Sequence, residues 1–440
     1  MKRILCTLTA TASIFSSITS WDAATQINTT VEGTPQNVAT AIDASGNGAA
    51  LYNIIGDSAQ LVVSVDTIIE DVDGGETITA PINILSGSAS PFMAVWSVED
   101  TTAIKARTIT SAGTLGTVET LATENLTTQV TSASTPAGNF LVAWGTSGGF
   151  PPQSIRGKHY NGSAGTWGDI ITINGAINLT SMQSVGDASG TFLVVGQDSS
   201  DDLQSHFITN GTTASSAIEI GPAEASALIS LAAQTKATDT AGQFLVAYPN
   251  TADGVSAAVH SATPSGAWGT PVVVGASTTP AENSIKCALT PNGNGLVIWK
   301  NGDSELEGAI YQAQEDAFDP KETIIDGVDE IINVQAGSDN TFTIIFTTTN
   351  DSELKVFYSV NVTPTGGVSS PVLVFTGPST NFGSNSFSIN PRGTRGIGSW
   401  IFDDDAVFKV LSSATSGNHG ASSGNLFRKS GLRPMRRPYR

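Results

Sequence analysis

The chain has 440 residues, a formal net charge of -19, 45 glycines and only 13% charged residues. This composition argues against a helix-rich domain with a Glu/Lys surface, and a hydrophobic share of 39% argues against disorder. So acidic a folded part repels nucleic acid and anionic membrane, and no nucleic-acid partner is expected.

The first segment, "MKRILCTLTATASIFSSITS", has a basic start (Lys2, Arg3), an apolar run to Ile18 and then small residues. It predicts a secretory signal peptide over residues 1–20, too short and too Thr-rich for a membrane span. The protein is expected to be secreted, periplasmic or held at the cell surface, with no transmembrane segment. Cys6 would leave with the signal, so Cys287 stands alone and is read as a small buried hydrophobe rather than a reactive thiol.

From residue 21 onward the sequence repeats itself. An apolar run recurs eight times, marked by Tyr52 in "AALYNIIGD", Trp96 in "FMAVWSVED", Trp144 in "FLVAWGTSG" and Gly196 in "FLVVGQDSSD". Tyr248 in "FLVAYPNTAD", Trp299 in "GLVIWKNGD", Phe346 in "FTIIFTTTND" and Trp400 in "GIGSWIFDD" complete the set, at spacings of 44 to 54 residues. Each copy reads as four short strands. An alternating segment precedes a Gly or Asn turn ("PAGN", "DASG", "PNGN"), whose residues tolerate positive φ. The apolar run is the second strand, a polar turn leads to a third such as "SIRGKHY", and a further Gly turn leads to a fourth such as "GAWGTPVVV".

A four-stranded unit of about fifty residues without helical periodicity matches a propeller blade. The fold predicted is therefore all-β: a single eight-bladed β-propeller of four-stranded blades over residues 21–412. A seven-bladed ring is the alternative, because the first copy is irregular beyond Ile69. The last copy stops after its third strand, "AVFKVLSSA", and the segment "WDAATQI" supplies the missing fourth, with Trp21 matching Trp167 and Trp268. The ring would be closed by this N-terminal strand, which removes exposed sheet edges. The pattern resembles uncharacterised secreted bacterial repeat propellers that alternate "D-x-x-G-N-x-x-x-V-W" with "W-x-x-P-V". The matching stretches are "AIDASGNGAALYN", "TPNGNGLVIW" and "GAWGTPVVV"; these motifs are structural and imply no activity.

The turns after the second strands carry Asp57, Asp100, Asp202, Asp253, Asp303, Asp351 and Asp405, and are expected to form an acidic crown on one face. Asp is also a good turn residue, because its carboxylate binds amides two positions on. Repulsion does not demand a counter-ion, since like charges about 10 Å apart in water repel by only about 0.4 kcal/mol. No cofactor is expected. Asp198, Asp201 and Asp202 in "GQDSSDD" are the candidate calcium ligands, although they lack the twelve-residue loop pattern. His159, His206 and His260 lie on third strands of consecutive copies, yet alignment places them at different positions, which argues against zinc.

The function expected is a non-catalytic binding or scaffolding propeller that engages a protein or carbohydrate ligand through its acidic face, as a monomer. The alternative is a glycoside hydrolase or sialidase-like enzyme. Against it, the Asp boxes of form S-x-D-x-G-x-x-W are missing, and only Arg107, Arg156, Arg392 and Arg395 lie between signal and tail. Residues 413–440 form a Gly/Ser-rich, basic tail suited to contact an anionic surface. Deleting the tail should abolish salt-sensitive binding to anionic vesicles; binding unchanged by the deletion removes that role.

Overall fold

The computed structural model describes Trp21, Thr25, Gln26 and residues 34–414, except 56–59, 66–67, 73–77, 88–90, 99–102, 125, 148–153, 175–180, 199, 210, 225–227, 235–241, 253, 261–265, 277–279, 282–283, 351–353, 379–381, 391–394 and 405–406. Every regular element among these residues is a strand, and the strands form eight antiparallel sheets. Six sheets have four strands. In the fourth and sixth the outermost strand is broken into two pieces, Thr213–Ala214 with Ile218–Pro222, and Ala317–Phe318 with Glu322–Ile325.

The first strands of the eight sheets are Thr34–Ile42, Ile78–Ser86, Leu126–Ser134, Ser181–Gly186, Ser230–Ala233, Lys286–Leu289, Glu330–Ala336 and Phe382–Ile389. Each contacts the first strand of the next sheet, and the eighth contacts the first. All eight contribute to the lining of one common cavity. The eighth sheet contains Phe382–Ile389, Gly396–Asp404 and Val407–Ala414, and its fourth member is Thr25–Gln26, pairing Thr25 with Ser412 and Gln26 with Leu411.

Second strands read as unbroken apolar runs because both of their faces are covered. Phe140–Thr146 is buried along its whole length. Its alternation divides it between neighbours: Phe140, Val142 and Trp144 pack with Met93 and Val95 of the second sheet, while Leu141 and Ala143 pack with Phe192 and Val194 of the fourth. The marker aromatics Trp96, Trp144, Trp299 and Trp400 are all fully buried in such clusters.

Five of the turns between first and second strands share one hydrogen-bond pattern. Asp43, Thr135, Asp187, Thr290 and Gly337 each donate their amide to the carbonyl four residues on. The residue before that acceptor has positive φ, at Gly46, Gly138, Gly190 and Gly293, and Asn340 takes the glycine's place in the seventh sheet. At Gly138 the constraint is also one of space, because the Gly87 and Gly162 backbones approach so closely that a Cβ at either would overlap Gly138.

First strands have no strand partner on their inward edge, and side chains of adjacent sheets take that role. Ser384 and Ser386 accept from the amides of Val38 and Thr40, and Ser388 Oγ donates to the Thr40 carbonyl. Ser230 accepts from the Cys287 amide, Gln335 from the Ile389 amide, and Asn333 donates to the Phe387 carbonyl. The abundance of Ser, Thr, Asn and Gln in these strands thus has a structural cause.

Trp21 sits as the sequence pairing with Trp268 requires. Trp268 Nε1 donates to Ser205 Oγ at 2.8 Å, and Trp21 Nε1 donates to Ser359 Oγ at 3.0 Å. Ser205 and Ser359 hold the same register position on the third strand of the preceding sheet, opposite Val195 and Ile345. Trp21 also meets Phe387 edge to face. Trp21→Ala and Trp268→Ala are therefore expected to destabilise alike, each by on the order of 3 kcal/mol in denaturant melts; a Trp21→Ala protein as stable as the parent would contradict the equivalence.

Candidate functional site

Of the seven crown residues, Asp202 and Asp303 fall among the described residues; Asp57, Asp100, Asp253, Asp351 and Asp405 lie outside them. The two do not share a turn position. Asp198 donates its amide to the Asp202 carbonyl, and Asn301 likewise to the Glu305 carbonyl. Asp202 therefore corresponds to Glu305, and Asp303 to Ser200. Position one of the turn is the recurring element: Asp198 Oδ1 accepts from the amides of Ser200 and Asp202, Asn301 Oδ1 from Asp303 and Glu305, Asn250 Oδ1 from Ala252, and Asn350 Oδ1 from Leu354.

This recurrent Asn or Asp closing the polar turn is visible in "QDSSDD", "PNTADG", "KNGDSE" and "TNDSEL". Of the candidate calcium ligands, Asp198 is thus occupied with turn amides, and Asp201 takes a left-handed φ of 63°. Among the described residues no three His, Cys, Asp or Glu side chains are grouped to hold a metal ion.

The three histidines are part of the core. They lie opposite Leu141, Val194 and Phe244, three different positions along their strands, as the alignment requires. His260 packs among Phe207, Phe244 and Trp268, with Nε2 donating to the Gly266 carbonyl at 2.8 Å and Nδ1 buried without a partner among the described residues. His206 Nδ1 faces the Ser215 carbonyl and Nε2 faces the Asn174 amide nitrogen. Burial lowers the pKa of all three. Cys287 is buried too, and desolvation pushes its thiol up to about 12, which leaves it unreactive.

The concave surface lies elsewhere, at the centre. One cavity of ≈ 400 Å³ opens beside the turns that follow the first strands and includes Gly87, Ser134, Thr135 and Pro136. A second, of ≈ 830 Å³, opens on the opposite side, where the second strands end and the first begin; its wall includes Ser284, Lys300, Asp329 and Asn385. Lys286 and Asn333 line both cavities.

Register explains why polar groups meet there. Asn83, Thr131, Gln183, Ser230, Lys286, Asn333 and Ser386 lie opposite Val95, Ala143, Val195, Ala247, Ile298, Ile345 and Ser399, the same step of seven successive ladders. In the first sheet this step is Ala39, opposite Leu51. The eight first strands thus form a tier of seven polar residues and one alanine, with a single charge, Lys286. Lys286 adjoins Cys287 in "SIKCALT", and the tier is visible in the sequence only when the first strands are set in register on their Gly/Asn turns.

Lys286 is partly buried, and its ammonium makes no hydrogen bond or ion pair with a described residue. Desolvation lowers its pKa, and the nearby Glu330 carboxylate works against that. The acidic groups at this mouth are engaged: Glu330 pairs with Lys355 at 3.1 Å, and Asp329 accepts from Thr349 Oγ1 at 2.6 Å. Lys300 Nζ donates to the Asp329 carbonyl at 2.7 Å. Among the wider acidic groups, Glu124 accepts from Trp144 and Arg156, and Glu307 from Trp299 and Lys321.

No protein-family model matches the chain, and no curated protein matches it. Among solved structures it is similar to the WD40 domain of SCAP from fission yeast, at 9% identity and a TM-score of 0.50, covering 90% of this chain and 98% of that one. This supports a repeat β-propeller fold. It is also similar, at 11% identity and a TM-score of 0.39 over 66% of this chain and 97% of that one, to the fucose-specific lectin from Aleuria aurantia. A protein of unknown function from Dyadobacter fermentans matches at 12% identity and a TM-score of 0.40, over 66% of this chain and 96% of that one.

The histidines set a pH response. Their folded pKa values lie below the unfolded value of about 6.5, so the unfolded chain binds more protons in that range. Their contribution to stability is complete above pH of about 6.5 and is lost as pH falls through the folded values. Thermal melts from pH 7.5 to 5 should show falling stability, with a shallower slope in His260→Phe; an unchanged slope in that variant would show that His260 carries none of it.

Proposed function

We propose that the eight sheets are the blades of one closed eight-bladed ring, sealed by the N-terminal strand, and that the protein is exported and acts as a non-catalytic binding propeller. Its ligand is a hydrophilic molecule of the carbohydrate class, taken at the side where second-strand turns and blade links surround the central mouth. The observation that carries this reading is the ≈ 830 Å³ cavity whose wall combines carboxamides and hydroxyls with Lys286, Lys300, Asp329 and Glu330. A concavity of this size is on the scale of small-molecule sites, about 300–1,000 Å³.

The proposal gives no acid or base role to the acidic groups of the mouth. Paired carboxyl groups of a glycosidase flank the scissile bond, about 5–9.5 Å apart. Here Glu330 is held by Lys355 and Asp329 by Thr349. The alternative, a glycoside hydrolase or sialidase-like enzyme, would have to use Asp329 and Glu330, the carboxylates that line the mouth. A protein ligand is the second reading, favoured by the breadth of the face and the turns that ring it.

A glycan array followed by calorimetric titration tests the proposal. The expected outcome is saturable carbohydrate binding, with no hydrolysis of a chromogenic glycoside panel above the blank. Silence across the array would transfer the reading to a protein ligand. Hydrolysis that disappears when one mouth carboxylate is replaced would overturn it in favour of the enzyme.

A further inference from the structure

The polar tier is neutral except at Lys286, and that exception narrows the ligand. A lysine among amides and hydroxyls in a confined site loses hydration, and an opposite charge is the usual return for that loss. Glu330 acts on it through space, but its carboxylate pairs with Lys355, and no described residue makes an ion pair with Lys286. Lys286 stands where the two cavities meet, so its ammonium faces space that a small molecule can enter from the broader mouth. The chain as a whole carries -19, so the surroundings repel anions and a cation confined here selects for one that fits.

The neighbouring groups suit hydroxyls. Asn83 and Asn333 each spend one amide hydrogen, on Ser132 Oγ and the Phe387 carbonyl, and a carboxamide has a second hydrogen to offer. Gln183 is exposed to the cavity, and Asn385 and Ser386 lie across it. Side-chain carboxamides and hydroxyls both donate and accept, which matches a polyhydroxylated ligand better than a bare inorganic oxyanion.

We infer that the central mouth binds a hydroxylated carboxylic acid of the sugar-acid class, its carboxylate on Lys286 and its hydroxyls on the carboxamides of the tier. The inference rests on the binding reading above and names its site and ligand class. The carboxylate would form a charge-assisted hydrogen bond with an ammonium that has no hydrogen-bond or ion-pair partner among the described residues.

The test titrates the full chain with D-galacturonate, D-galactose and inorganic phosphate by calorimetry, and repeats the titration with Lys286→Met. Galacturonate should bind, galactose at least about tenfold more weakly, in keeping with the strength of a charge-assisted bond. Lys286→Met should lower galacturonate affinity to that of galactose. Should the variant melt early, acetylation of Lys286 in the parent protein, followed by mass spectrometry, decides: galacturonate must slow it and galactose must not.

Equal affinity for the two sugars, an unaffected Lys286→Met, or acetylation indifferent to galacturonate would overturn the inference. Phosphate binding as tightly as galacturonate would overturn the sugar-acid class, because the site would then read charge alone. Neutral glycans that bind while galacturonate does not would sink this inference and leave the binding reading intact; failure of every carbohydrate would remove both.

Discussion

The structure depends on a hydrogen-bonding problem at the inward edge of each sheet. A first strand pairs with the second strand on one side and has no ladder on the other, leaving alternate amides and carbonyls to be satisfied in a half-buried place. Adjacent first strands cannot pair directly, so side chains of one sheet reach the backbone of the next. The seam between the eighth and first sheets carries the most connected example, with Ser384, Ser386 and Ser388 all turned to Val38 or Thr40. The same demand populates the central strands with small polar residues, and so the interior of the molecule acquires a hydrophilic wall.

Much of the architecture is legible in the sequence because it follows from local rules repeated eight times. A strand covered on both faces must be apolar throughout, a tight turn must hold Gly or Asn at the residue of positive φ, and both signatures recur at regular spacing. Even the role of Trp21 is legible, since it aligns with Trp268 and makes the same bond to the preceding sheet. The site is less legible. Asp202 and Asp303 look equivalent in sequence, but a turn is registered by its hydrogen bonds, and these place them two positions apart.

The polar tier fails to stand out for a different reason. Its members are separated by roughly a blade's length of chain, and each has an ordinary explanation alone: Asn333 caps a carbonyl, Ser230 caps an amide, and Lys286 looks like the polar partner of a buried cysteine. Only radial convergence makes them one surface. A feature assembled from single residues of many repeats has no linear motif, whereas the repeats themselves are nothing but linear motif.

The pairing of Thr25 and Gln26 with the strand Val407–Ala414 has a consequence for the order of assembly. Trp21 and Ser359 lie 338 residues apart, so this segment meets its neighbours only after all the chain between them has been made. Closing so long a loop costs entropy that grows only with the logarithm of its length, which makes the latch affordable once reached. Until then both rims of the nascent array stay open to pairing with another chain. The interval between translation and latching is therefore when the molecule is most exposed to swapping its terminal strand with a second copy.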